Sequence, residues 1–389
     1  MDSRLTRRSW FSRIGLSALA AVGLALSASG PALGSEPIKV GHYGSMTGKE
    51  ATFGQSTDNG IRLAIKEINA AGGLNGRPIE LITYDTKGAS QEAGNAVLRL
   101  VTQDKVVAVL GEVASSLSLA GGQVAQQYGV PMISPSSTNP RVTAGRDFVF
   151  RVCFIDPFQG YAVAKFAREN LKYSKAAILY DQAQAYSRGL RDEFAKAFRA
   201  MGGEIVADQA YSSGDQDFSA QLTTIRASGA EAIFIPGYYT EAGNIALQAR
   251  RLGITATLLG GDGWDSSLLS EIGKDAIEGA YYSNHYSPDQ PSEAVRIFVE
   301  KYTKEFGQTP DGLAALGYDA MNLLFDAMKR AKSLSGRDLR DAIAATKNFE
   351  GVTGTISIDK DRNATKSAVI VQIRDGKPVY AATIEPASN

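Results

Sequence analysis

Val106-Val107-Ala108-Val109-Leu110-Gly111 runs directly into Glu112-Val113-Ala114-Ser115-Ser116, and Val130-Pro131-Met132-Ile133-Ser134 runs into Pro135-Ser136-Ser137-Thr138-Asn139. Each is a short apolar run that ends in Gly or Ser and then gives way to small hydroxyl residues. Such a run reads as a buried parallel strand. Both hydroxyl clusters therefore fall at strand C-termini, where open α/β sheets bind ligands. Hydroxyls and backbone N–H groups at such a place suit a small carboxylate or other oxyanion.

Outward from these two strands, strand and helix patterns alternate along the chain, the signature of a parallel-sheet α/β protein. Ile38-Lys39-Val40-Gly41 begins a strand, and Ile61, Ala64, Ile65 and Ile68 give helical spacing over 54–71. Gly72-Gly73 stops that helix, and Ile79 to Tyr84 makes the next strand. The second half echoes the first. Gly111 and Gly129 lie 18 residues apart and Gly237 and Gly253 lie 16 apart, while Thr138 and Asp262 each stand nine residues beyond the second glycine. Ala70-Ala71-Gly72-Gly73 before one strand likewise matches Ala200-Met201-Gly202-Gly203 before another. The expected architecture is two similar lobes, each a central, mostly parallel sheet flanked by helices. A hinge with three crossings, near 154–157, 283–287 and 358–364, joins them. Residues 36–154 and 286–359 form the first lobe, and 156–284 and 360–389 form the second.

The first 34 residues read as an export signal. Arg4, Arg7, Arg8 and Arg13 precede an Ala/Leu/Gly-rich stretch over 14–28 and a small-residue cleavage pattern at Pro31-Ala32-Leu33-Gly34. Thr6-Arg7-Arg8-Ser9-Trp10-Phe11 resembles a twin-arginine signal, and a plain secretory signal fits as well. About 355 residues remain, which suits two lobes rather than one core. They carry 37 basic and 40 acidic side chains, a balance that argues against nucleic acid and membrane-surface partners. Cys153 is the only cysteine, so no intrachain disulfide forms, and it reads as a small buried hydrophobe.

Taken in order, Ser45-Met46-Thr47-Gly48, Ala71-Gly72-Gly73-Leu74-Asn75-Gly76-Arg77, Gly111 to Ser116, Ile133 to Pro140, Gly237-Tyr238-Tyr239 and Gly260-Gly261-Asp262-Gly263 resemble the periplasmic leucine/isoleucine/valine-binding protein family. These are the substrate-binding components of branched-chain amino acid ABC transporters, with the type I periplasmic binding protein fold. The resemblance implies a periplasmic monomer that captures a small amino acid between two lobes and delivers it to ABC permease subunits without a cofactor. Ser115 would give its hydroxyl and N–H to the ligand carboxylate, Thr138 a second donor, and the Ser136 carbonyl an acceptor for the ammonium. Asp262 would pair with the ammonium from the opposite lobe. Phe53, Tyr186 and Tyr238 match the walls around the ligand side chain, whose burial is worth about 0.8 kcal/mol per methylene.

Helix capping is the structural alternative for Ser115 and Thr138. Phe53 as plain core, Tyr186 as a surface loop residue and Trp264 as loop packing stand beside the functional readings, and Glu112 has no assigned role. Asp262 is one methylene shorter than the glutamate of some family members, and their cysteine pair is absent, so side-chain preference does not transfer. Aromatic amino acids, small amides or urea-like solutes remain alternative ligands, and a sensory ligand-binding module remains an alternative role. His42 and His285 show no metal-ligand spacing, and no nucleophile elbow, P-loop or dinucleotide fingerprint is present, which argues against an enzyme.

Overall fold

The computed structural model describes residues 36–386, so the export signal lies outside the described residues. In the first stretch β1 (Ile38–Gly44), α1 (Ala51–Ala70), β2 (Ile79–Asp85), α2 (Ser90–Arg99), β3 (Ala108–Leu110), α3 (Ser115–Tyr128), β4 (Met132–Ser134) and β5 (Val149–Arg151) alternate. Their strands form a wholly parallel, five-stranded sheet in the order β2-β1-β3-β4-β5. Every residue of β3 and β4 is buried, which is why these strands read as unbroken apolar runs.

The alternation then repeats through α4 (Asp156–Lys165), β6 (Lys175–Asp181), α5 (Ala185–Ala200), β7 (Glu204–Tyr211), α6 (Ser219–Ala227), β8 (Ala232–Ile235), α7 (Tyr239–Arg251), β9 (Thr257–Gly260), α8 (Ser267–Gly273) and β10 (Tyr281–Asn284). The chain returns to the first sheet with α9 (Glu293–Phe306), α10 (Gly312–Arg330) and α11 (Gly336–Ala344). A small antiparallel sheet of β11 (Phe349–Gly351), β12 (Gly354–Ile358) and β13 (Ala364–Thr365) follows, and its Ile356, Ile358 and Ala364 share one apolar core with Ile38, Val40 and Leu316. β14 (Ala368–Arg374) and β15 (Lys377–Ile384) then add antiparallel to the second sheet, whose order is β15-β14-β10-β9-β8-β6-β7.

Without β14 and β15 the second sheet repeats the order of the first, with β7, β6, β8, β9 and β10 in the places of β2, β1, β3, β4 and β5. The echo read from the paired glycines holds strand for strand. In each sheet the strand order reverses at one point, between β1 and β3 and again between β6 and β8, which is where a ligand crevice opens at the strand C-termini. The chain passes between the sheets after β5, after β10, and at Lys366 and Ser367 between β13 and β14. The last passage lies just beyond the stretch read from the sequence, because β13 still pairs with β12.

α1 and α10 touch backbone to backbone. A Cβ on Gly60 would sit 2.0 Å from the Ala314 carbonyl oxygen, and one on Gly317 would sit 2.4 Å from that of Thr57. Gly60→Ala is therefore expected to push the helices apart and destabilise the protein by about 2 kcal/mol or more, read as a lowered urea midpoint.

Candidate ligand-binding site

The loops that follow β1, β3 and β4 meet those that follow β6, β8 and β9. Ser115 is the first residue of α3, and Ser136 and Thr138 lie in the loop after β4. Tyr186 is the second residue of α5, Tyr238 directly precedes α7, and Asp262 follows β9. Phe53 stands inside the first turn of α1 rather than ahead of it, because the helix begins at Ala51. All seven are buried. Tyr186 and Tyr238 stack with ring centroids 5.4 Å apart, and Phe53 meets Tyr238 edge-on, also at 5.4 Å. The Tyr186 hydroxyl accepts from the Gly263 amide at 3.2 Å, and Ser136 Oγ lies 3.4 Å from Asp262 Oδ2. The three rings, Ser136 and Asp262 thus form one connected group, while the buried Thr138 hydroxyl has no hydrogen-bond partner.

The two hydroxyl clusters divide into two sets with different work. Ser118, Ser134 and Ser137 all donate to the Glu112 carbonyl, at 3.1, 2.8 and 3.0 Å. The Glu112 carboxylate accepts from Ser45 Oγ at 2.7 Å and Thr86 Oγ1 at 2.8 Å on one oxygen, and from the Val113 and Ala114 amides on the other. Glu112 is therefore a brace that ties the loops after β1, β2, β3 and β4 together. Trp264 packs against Gly260 and donates its indole N–H to the Ile235 carbonyl at 3.1 Å, which makes it loop packing.

Ser115 Oγ accepts from the Asn139 amide at 3.2 Å, and fully buried Arg151 holds the same loop by donating to the carbonyls of Ser137 and Asn139. The Thr138 carbonyl accepts from the Asp156 amide at 3.0 Å. Among the described residues this leaves the Ser136 carbonyl without a donor and the amides of Ser115, Ser116 and Thr138 without an acceptor. Two of those amides belong to the first turn of α3, where the helix dipole favours an anion.

On the acidic side, Asp262 Oδ1 accepts from Gln159 Nε2 at 2.7 Å, and Oδ2 lies 3.1 Å from His285 Nε2. Burial, partly offset by Asp262, pulls the His285 imidazole down to about 4, so it is neutral at physiological pH. Its ring stacks on Phe154 at 3.7 Å, which ties Asp262 to the first two passages of the chain. Gln159 and His285 were missed in the sequence, where neither stands in a motif.

Asp156 is wholly buried and neither of its oxygens has a donor in hydrogen-bond geometry. Burial pushes its carboxyl up to about 8, a rise that Thr138 opposes and the Asp262 charge adds to. In the unfolded chain this acid ionises near 4, so between about pH 4 and about pH 8 unfolding releases a proton that the native state keeps. Stability should fall as pH rises through that window. Asp156→Asn removes the dependence, and its stability relative to the unsubstituted protein is expected to improve by about 2 kcal/mol or more from pH 4 to pH 8, read by urea unfolding at both. Cys153 is buried and free, with its thiol pushed up by burial to about 12, which leaves it unreactive. No group of three or more His, Cys, Asp or Glu side chains gathers to hold a metal among the described residues, and no helix there is long and apolar enough to cross a membrane.

Two sheets of one strand order, whose C-terminal loops close around free amides on one side and a held carboxylate on the other, define a solute-binding α/β protein of the type I periplasmic binding architecture. The chain belongs to the periplasmic binding protein family, whose model matches residues 37–378. It is similar to the leucine-, isoleucine-, valine-, threonine-, and alanine-binding protein of Pseudomonas aeruginosa, at 30% identity over 332 residues that cover 84% of this chain and 87% of that one. The solved leucine-binding protein LivK of Thermotoga maritima is 42% identical with a TM-score of 0.86, covering 90% of this chain and 99% of its own. The branched-chain amino acid transporter substrate-binding protein LivJ of Streptococcus pneumoniae, solved in complex with isoleucine, is 36% identical with a TM-score of 0.85, covering 90% of this chain and 100% of its own.

Proposed function

We propose that this protein captures an aliphatic, branched-chain α-amino acid between its two halves and delivers it to the permease subunits of an ABC importer. The observation that carries the reading is that the loops after β3 and β4, which hold the free amides, meet Asp262 after β9 at Ser136, whose Oγ lies 3.4 Å from Asp262 Oδ2. An α-amino acid carries a carboxylate and an ammonium on one carbon, so its receptor needs donors and acceptors on facing walls. In this reading the ligand carboxylate takes the amides of Ser115, Ser116 and Thr138. The ammonium takes Asp262 and the Ser136 carbonyl. The side chain packs among Phe53, Tyr186 and Tyr238, whose mutual contact suits a short aliphatic group.

The two sheets are then the cores of two lobes, 36–154 with 286–365 and 156–284 with 368–386, that hinge about the three passages. Binding favours the closed form because only closure brings Asp262 to the donors of the other lobe. The family and the export signal read over residues 1–34 support delivery to the periplasm, by the twin-arginine or the plain secretory route, where the protein acts as a monomer. Small-angle scattering should show a smaller radius of gyration with saturating leucine than without it. An identical curve, together with no heat of leucine binding in calorimetry, would overturn the reading.

A further inference from the structure

A cavity of about 510 Å³ lies between the two halves beside the second passage of the chain, and none of the ligand-site residues line it. Its walls include Asp265, Asp311 and Tyr286 together with apolar Leu269, Val371 and Ile373. The volume falls within the range of small-molecule sites, about 300–1,000 Å³.

The two acids come from opposite halves. Asp265 follows β9, with Oδ2 accepting from the Gly312 amide at 2.6 Å and Oδ1 accepting from the Tyr282 hydroxyl at 3.1 Å. Asp311 caps α10 by accepting from the Ala314 amide at 2.8 Å, and Ser56 Oγ donates to the same oxygen. Both acids thus converge on one helix start, where a Cβ on Gly312 would lie 2.8 Å from Asp265 Oδ2. Neither forms an ion pair among the described residues, and Lys377 at the cavity edge is exposed. Burial raises both carboxyls, Asp265 to about 7 with Asp311 adding to the rise. Tyr286 is wholly buried, and its hydroxyl, in the field of both acids, has no hydrogen-bond partner.

We propose that this cavity is a second binding site, for a short aliphatic amine in its ammonium form. An ammonium has three N–H donors, and the site offers three kinds of acceptor in Asp265, Asp311 and the Tyr286 phenol oxygen. The alkyl chain lies along Leu269, Val371 and Ile373, and the charge relieves two carboxylates that otherwise face each other. Because the acids belong to different halves, the bound amine also holds the halves together.

The test titrates the purified protein with n-butylammonium chloride, with 1-butanol as the neutral isostere, by calorimetry and ligand-observed NMR in the presence of saturating leucine. The ammonium is expected to bind at least about tenfold more tightly than the alcohol, and leucine should not displace it. Asp311→Asn, which keeps the helix cap, and Tyr286→Phe should each weaken the amine, the former by about tenfold. Absence of amine binding, displacement by leucine, equal binding of 1-butanol, or unchanged affinity in Asp311→Asn would each overturn the proposal. A protein that failed to bind leucine but still bound the amine would overturn the proposed function and leave this site standing.

Discussion

Replacing Asp262 with asparagine is expected to weaken leucine binding about thirtyfold or more while leaving the protein folded. The substitution keeps size and shape but removes the negative charge that the proposed binding mode sets opposite the ligand ammonium. A charge-assisted hydrogen bond lost in a closed, water-poor cleft costs about 2 kcal/mol or more, and each 1.4 kcal/mol is about a factor of ten. The internal network can absorb the change. Gln159 Nε2 still finds the amide oxygen, and the neutral imidazole of His285 can shift its proton to Nδ1 and accept from the new amide N–H. The loss therefore reports on charge rather than on collapse of the loop. Calorimetry with leucine and with its deaminated analogue separates the two. The unsubstituted protein should prefer leucine strongly, and Asp262→Asn should lose most of that preference. Retained affinity in the variant would exclude Asp262 as the ammonium partner.

Arg151→Met should cost stability on a comparable scale, about 3 kcal/mol or more. Arg151 is fully buried at the end of β5, and its guanidinium donates to the carbonyls of Ser137 and Asn139 and, at 3.1 Å, to Thr143 Oγ1. Methionine fills much of the same volume, so the cavity term is small. The loss falls on three buried hydrogen bonds from a charged donor, each worth about 1.5–3 kcal/mol, while the Asn139 carbonyl keeps only the Val142 amide and the Ser137 carbonyl only the Cys153 thiol. Chemical unfolding reads the total. Because the freed carbonyls flank Ser136 and Thr138, leucine affinity should fall too, which a purely peripheral role for Arg151 would not produce.

How much of this was legible in the residues depended on whether a signal was local. The α/β alternation, the repeated strand order and the positions of Ser115, Thr138, Tyr186, Tyr238 and Asp262 at strand ends all follow from apolar runs and glycine spacing, which are local. The division of labour among the hydroxyls was not legible. Ser118, Ser134 and Ser137 are built into the knot around Glu112, while Ser136 reaches Asp262 and the Thr138 hydroxyl has no partner, and only the fold shows which side of the loop each takes. Gln159 and His285 reach Asp262 across more than 100 and more than 20 residues of chain respectively, so no window contains both ends of either contact. Arg151 did carry a signal: it is a lone charge in Val149-Phe150-Arg151-Val152-Cys153-Phe154, and a charge in so apolar a run marks either an error of reading or a buried brace.

The close seat of α10 on α1 has a consequence for how the protein is made. Gly60 meets Ala314, so the first half cannot complete its helix layer until a segment some 250 residues downstream has emerged. β14 and β15, which finish the second sheet, are later still. Synthesis from the N-terminus therefore delivers neither half as a finished unit ahead of the other. The nascent chain holds open apolar faces until β15 has been made, and the search for native contacts is a late, long-range event with a high loop-closure cost. A truncation placed anywhere between the two halves yields two unfinished pieces rather than two domains.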